Sequence, residues 1–344
     1  MPSVSFVEAI VLTLLHSLWQ GGILAFFAAL TVVFTRRCDV RYRYYGLLAL
    51  LGLFVAGVLL TFYVVWYGGI GLQVTGQMAF IDAHAGVIAA LWAGCLLVRL
   101  AFIGLELYGL GRLRQVGTSP VEAKWSMSVQ RLAYRMGIDR TISLLESAVV
   151  RVPMVIGHFK PVVLVPLGLI THLPPNEMEA ILIHELAHIR RRDFVINLIV
   201  QGVQAVLFFN PAIWWVTHLI GEERENCCDE LAVGVAGNRL DYVRTLVQFA
   251  ERFHGPVKLA QAFPGTGNGL LTRVERLARG RNRQMSKLES LILVILLTLS
   301  TWLTTLSYNT HRSSVLPLTT VARQMAAKKQ AEAVALRRLQ ANIP

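Results

Sequence analysis

Uncharged apolar runs divide this chain. Ala9 to Phe34 carries no charge, and Tyr44 to about Tyr67 is a second such run. Gly86 to about Leu110 is a third, interrupted by Arg99 and Glu106, and Leu291 to Leu306 a fourth, extended by Ser and Thr. A helix of about 20 apolar residues crosses the hydrocarbon core of a bilayer, so the pattern predicts about four transmembrane helices. The first run exceeds the apolar core of a signal peptide (about 7–15 residues), begins without a basic segment and lacks a small-residue cleavage site. It reads as a retained helix. Arg99 is costly in lipid unless paired, with Glu106 or a carboxylate on another helix as the expected partner.

Basic residues orient the runs. The first connection holds Arg36, Arg37, Arg41 and Arg43, whereas 68–85 has no Lys or Arg. The positive-inside rule places the first connection in the cytoplasm and the N-terminus outside. The polar segment 111–287 is then cytoplasmic, and the tail 308–344 lies outside. Within that tail 326–339 could form a basic amphipathic helix. The expected location is the bacterial inner membrane, with several crossings.

The fold expected is a mainly α membrane protein with a cytoplasmic α+β domain between its third and fourth spans. Residues 1–110 form the three-helix region, 111–287 the cytoplasmic domain, 288–307 the fourth span and 308–344 a short tail. Ala123 to Met136 reads as an amphipathic helix and Thr141 to Val152 as β-prone sequence. Val162-Val163-Leu164 lies in a strand bounded by Pro161 and Pro166. Flanking prolines favour an edge strand, which could align an extended peptide by main-chain pairing; Val162, Val163 and Leu164 are the candidate substrate-binding residues. A further uncharged run, 194–220, contains Asn197, Gln201, Gln204 and an Asn210-Pro211 break. These polar residues and the break suit a bent helical hairpin better than one more crossing.

Candidate chemistry begins at His184-Glu185-Leu186-Ala187-His188. It follows a helix start at Pro174-Pro175-Asn176-Glu177 and lies in the helical run Met178 to Ile189. Histidines at i and i+4 share a helix face and can converge on one zinc ion. Glu185 is placed to accept a proton from a water that the metal activates. This is the layout of a metal-dependent peptidase, with one catalytic Zn²⁺ as its cofactor. A catalytic zinc has three protein ligands and an open position. Glu225 is the simplest third ligand, and Asp229, four residues on, would accept a hydrogen bond from a histidine ring. Glu222 is the next candidate. Cys227 or Cys228 as a further ligand would close the site and imply a structural role. His158 and His218 are conceivable donors to a transition-state oxygen.

Composition agrees with a membrane protein. Hydrophobic residues make up 54% of the chain and charged residues 16%, against about 25% charged in soluble domains. The net charge of +12 follows the cytoplasmic segments and suits anionic lipid. No nucleic-acid recognition motif accompanies it, so none is expected as a partner. Four cysteines form no disulfide framework.

His184 to Asp193, Phe208-Phe209-Asn210-Pro211-Ala212-Ile213-Trp214-Trp215 and Glu223 to Asp229 together resemble the BlaR/MecR family of membrane metallopeptidases. His16-Ser17-Leu18-Trp19-Gln20 and Gly157 to Pro161 extend the resemblance, which covers about Val4 to Leu306. It implies a gluzincin-type zinc domain facing the cytoplasm, with His184, His188 and Glu225 as ligands and Glu185 as catalytic base. It also implies signal transduction by cleavage of a regulator, such as a cytoplasmic transcriptional repressor, or of the protein itself. Antibiotic-sensing members carry an external penicillin-binding domain after the last span. No Ser-x-x-Lys stands in 308–344, so direct acylation by a β-lactam is not expected. The alternatives are a quality-control peptidase resembling the HtpX type and a non-enzymatic membrane scaffold or sensor. A peptide or protein substrate and the bilayer are the partners expected of either peptidase.

Overall fold

The computed structural model describes residues 4–67, 78–157, 160–254, 267–280 and 282–314. The tail beyond 314, with the expected helix at 326–339, lies outside the described residues, as does His158.

Helix α1 (Phe6–Phe34) begins at a capping box: the Ser5 hydroxyl accepts from the Glu8 amide while Glu8 accepts from that of Ser5. A 3₁₀ turn, Thr35–Arg37, leads into α2 (Val40–Tyr67), and α3 (Met78–Leu113) follows. Three stretches, Phe6–Arg37, Val40–Tyr67 and Ala83–Leu113, are long and apolar enough to cross a membrane. The expected fourth span lies in α11 (Lys287–Ser314), whose apolar stretch Glu289–Trp302 is shorter. Helix α11 runs antiparallel to α1. Asn282, just before it, donates to the Thr35 and Cys38 carbonyls at the end of α1, and Ser300 abuts Gly22. A Cβ on Gly22 would overlap the Ser300 side chain, so the helices meet closely because that position is glycine.

Between α3 and α11 lies an α+β unit. Its sheet comprises β1 (Thr118–Pro120), β2 (Ser143–Ser147), β3 (Met154–Ile156) and β4 (Val162–Pro166), in the order β1-β2-β4-β3. Strand β4 pairs parallel to β2 and antiparallel to β3. This corrects the expected edge strand. Val162, Val163 and Leu164 are wholly buried in the interior strand, and both its edges are occupied, so they cannot pair with a substrate. The prolines misled because they sit at the strand's two ends. Pro161 precedes the ladder and Pro166 closes it, and the residues between keep their N–H groups for both neighbours. The free edge beside the metal-binding motif belongs to β3.

Helix α4 (Ala123–Arg135) and α6 (Pro175–Arg191) pack on the sheet through Val129, Leu132, Met178, Leu182 and Leu186; the four-residue helix α5 (Leu169–His172) precedes α6. Pro175 occupies the first turn of α6, where its missing N–H costs nothing. At the other end Arg192 adopts φ 58°, the one positive φ outside glycine among the described residues. That left-handed residue turns the chain straight into α7 (Asp193–Val206). Helix α8 (Pro211–Ala236) is capped by Asn210, whose side chain accepts from the Ala212 amide and donates to the Ser17 carbonyl in α1. Its first half packs with α1 and α2 through Ile213, Val216 and Ile220. Its second half enters the other core through Cys228 and Ala232. Helices α9 (Arg239–His254) and α10 (Gly267–Arg279) complete the unit.

Helix α3 leans on the α7–α8 corner. Trp92 donates to the Val206 carbonyl, and the Arg99 guanidinium lies 5.2 Å from the Phe208 ring centre. The structure gives Arg99 an aromatic face rather than the expected carboxylate.

Replacing Gly22 by Leu should loosen α11 from α1 and cost about 1–3 kcal/mol, the usual range for overpacking. A thermal melt in detergent reads it as a lowered midpoint relative to wild type.

Candidate metal centre

Helix α6 carries His184 and His188 on one face, with ring centres 5.1 Å apart and planes nearly perpendicular. Helix α8 crosses below and presents Glu225. Its Oε2 lies 3.6 Å from His184 Nε2 and 3.8 Å from His188 Nε2. One donor atom from each residue falls within 4.8 Å of the other two. Tetrahedral zinc with bonds of about 2.0–2.1 Å holds its ligand atoms about 3.3 Å apart. The observed separations are a few tenths longer, a gap that small side-chain rotations close. Two imidazoles and a carboxylate also match the donor preferences of zinc.

Each imidazole is held from behind. His188 Nδ1 lies 2.9 Å from Asp193 Oδ2. His184 Nδ1 lies 3.0 Å from the Tyr242 hydroxyl and 3.3 Å from Asp229 Oδ1, and Tyr242 donates to the same Asp229 oxygen at 2.8 Å. With both Nδ1 atoms as donors, each Nε2 is the ring atom that faces Glu225 and is available to a metal once it is deprotonated.

Arg273 of α10 closes one side. It forks onto Asp229 at 2.8 and 2.6 Å, and lies 3.8 Å from Glu225 Oε2 and 3.5 Å from His184 Nε2. Burial pushes the Asp229 carboxyl up, but Arg273 and His184 outweigh it and hold the carboxyl far below its usual range. Burial likewise opposes ionisation of Glu225, which His184, His188 and Arg273 reverse, leaving it well below the ordinary carboxylate value. Burial lowers His184, while its bonds to Asp229 and Glu225 raise it more, to about 9. Both carboxylates therefore stay charged at neutral pH, and a metal entering the site displaces a proton from His184.

Glu185 is half-buried on the turn between the histidines and makes no hydrogen bond or ion pair among the described residues. Other candidates point elsewhere. His218 is more than half exposed and pairs with Glu222 at 3.5 Å, and Glu222 pairs in turn with Arg283. His218 is thereby removed as an oxyanion donor and Glu222 as the third ligand. All four cysteines are free. Cys228 is buried behind His188, 3.4 Å from its Nδ1 and 3.3 Å from Asp193, on the side away from the ligand face.

Three participants were not expected from sequence: Asp193, Tyr242 and Arg273. Asp193 ends a run of arginines that resembles a membrane flank. The left-handed Arg192 folds it back beneath His188. The only sequence signal was the acidic residue five positions beyond the second histidine. Tyr242 and Arg273 arrive from separate helices and left no local signature.

The family described as BlaR1 peptidase M56 matches residues 73–276. The chain belongs to this family. The regulatory protein BlaR1 of Bacillus licheniformis is 31% identical over 88 residues, which are 26% of this chain and 14% of that protein. The methicillin resistance mecR1 protein of Staphylococcus aureus is 27% identical over 92 residues, 27% of this chain and 16% of that protein. The chain thus matches about a seventh of the length of these curated relatives. The crystal structure of S. mikatae Ste24p aligns over 80% of both chains at 13% identity with a TM-score of 0.33. The candidate metal centre, His184, His188 and Glu225, lies within the matched residues.

Two outcomes follow for metal binding. Asp193→Ala should weaken Zn²⁺ binding by about 10–100-fold, the usual cost of losing a ligand's outer partner, measured by competition with a chromophoric chelator. In the same assay wild-type affinity should climb with pH and level off above about 9, where His184 no longer holds a proton for the metal to displace.

Proposed function

We propose that this protein is a zinc endopeptidase of the membrane, hydrolysing peptide bonds at a site on the cytoplasmic side. The carrying observation is the convergence of His184, His188 and Glu225 with both imidazoles braced at Nδ1. A zinc ion bound there would act as a Lewis acid on the scissile carbonyl and make water a nucleophile at neutral pH. Glu185 takes the proton of the attacking water and returns it to the departing amine, which leaves neutral. Arg273 is the fixed cation beside the ligands, placed to donate to the oxygen that gains charge. Asp229 holds Arg273 and His184 together, and Asp193 holds His188.

An extended substrate finds its edge at β3, beside α6, in place of β4. Met154, Val155 and Ile156 end the sheet there, and an added strand would run along the metal-bearing helix.

Topology follows from which groups meet. The basic α1–α2 connection contacts the metal unit, through Asn282 on the Thr35 and Cys38 carbonyls and through Arg43 on Glu223. These contacts support a connection and a metal site on one side of the membrane, and the positive-inside rule favours the cytoplasm for that side. Helix α11 starts on that side and returns along α1 as the fourth span. A soluble regulator, such as a transcriptional repressor, or the protein's own chain would meet the site there, in a regulatory role like that named for the BlaR1 relative.

Glu185→Gln should retain one zinc per chain by metal analysis and lose about 10²–10⁴-fold in peptide cleavage. Comparing protein N-termini in cells expressing wild type and this variant should reveal cytoplasmic cleavage products present only with wild type. Cleavage undiminished by Glu185→Gln contradicts the reading.

A further inference from the structure

Two adjacent residues of membrane helix α2 reach both halves of the metal centre. Arg43 is buried, with its Nε 3.1 Å from Glu223 Oε1 and its Nη1 donating to the Arg283 carbonyl at 2.9 Å. Glu223 is itself 1% exposed and lies on α8 two residues before the ligand Glu225. Tyr44 is wholly buried, and its ring centre is 4.5 Å from the guanidinium carbon of Arg191. Arg191 Nε bonds Asp193 at 3.3 Å, and Asp193 bonds His188 Nδ1 at 2.9 Å. One route thus runs Tyr44, Arg191, Asp193, His188, and the other runs Arg43, Glu223 and two residues of the α8 backbone to Glu225.

The chemistry of these contacts suggests register rather than cohesion. A buried ion pair gains little net stability over well-packed apolar side chains, because both charges lose their hydration. It does fix geometry, since each charge has one good partner and few alternatives. A guanidinium over a tyrosine face is similarly restricted in direction. Metal ligands need that restriction, because ligand atoms displaced by more than about 0.2 Å bind poorly.

We propose that Arg43 and Tyr44 are positioning residues for the metal centre. The axial and rotational register of α2 against α6 and α8 sets how well His188 and Glu225 meet, so a displacement of this membrane helix alters the site directly. The inference rests on the reading of His184, His188 and Glu225 as a zinc site.

The test uses the full chain in detergent, with Zn²⁺ affinity read by chelator competition and folding by thermal unfolding of the metal-free protein. Tyr44→Leu removes the ring face and should weaken zinc about tenfold, in the range for lost outer partners. Tyr44→Phe keeps the face and should stay within about twofold of wild type. The double variant Arg43→Met/Glu223→Leu replaces the ion pair with apolar side chains of similar bulk. It should still unfold cooperatively yet bind zinc about tenfold more weakly. Wild-type affinity in both Tyr44→Leu and the double variant overturns the proposal and leaves the zinc site standing. Loss of cooperative melting in both assigns these residues to folding alone and also overturns it. Failure of wild type to bind one Zn²⁺ per chain removes the site reading itself.

Discussion

The crossing of α6 over α8 is the constraint on which everything else depends. Neither helix can assemble three ligands alone: α6 offers two imidazoles one turn apart, and the carboxylate must come from a chain segment 37 residues beyond the second. Cys228 and Ala232 on α8 are small enough to approach Leu186 and Ala187 on α6, and all are buried in one apolar cluster. Because buried side chains pack at crystal-like density, that interface has little slack. The ligand distances of 3.6 and 3.8 Å inherit their definition from it.

Charge is then arranged around the crossing. Asp193, Glu225 and Asp229 bring three carboxylates into a small, mostly buried volume, balanced by Arg191 and Arg273. Arg273 is the strongest influence opposing burial at Asp229, so it keeps that carboxylate charged behind His184. The fold thereby places anionic acceptors behind the ligands and one cation beside the face where substrate would lie. The same crossing continues into the membrane region, since α8 begins at the Asn210 cap against Ser17 and ends in the metal domain. A single helix belongs to both cores.

Much of this was legible in local sequence, and the rest shows where local reading ends. The two histidines share a face because four residues make about one helical turn, which no tertiary context alters. The same arithmetic linked Glu225 to Asp229, and the Asn210-Pro211 break marked the hairpin corner. Val162 to Leu164 failed because a proline at the end of a strand looks in sequence like a proline on its edge. Only the pairing of β4 with both β2 and β3 separates the two. Arg191 stands in an Arg-Arg-Arg run where nothing local singles it out, yet its side chain lies over Tyr44 and bonds Asp193. That placement requires Arg192 to be left-handed, a conformation that no residue type there demands. Arg273 and Tyr242 depend on where α9 and α10 come to rest, and nothing local encodes it.

The identity of the atoms that would grip the ion decides whether His184, His188 and Glu225 form the centre. X-ray absorption at the zinc edge, on the purified full chain loaded with one equivalent of Zn²⁺, reads those atoms directly. It should show nitrogen and oxygen scatterers at about 2.0–2.1 Å, with the outer-shell signature of two imidazoles and no sulfur. A sulfur scatterer at about 2.3 Å would bring Cys227 or Cys228 into the coordination sphere and contradict a centre built from His184, His188 and Glu225.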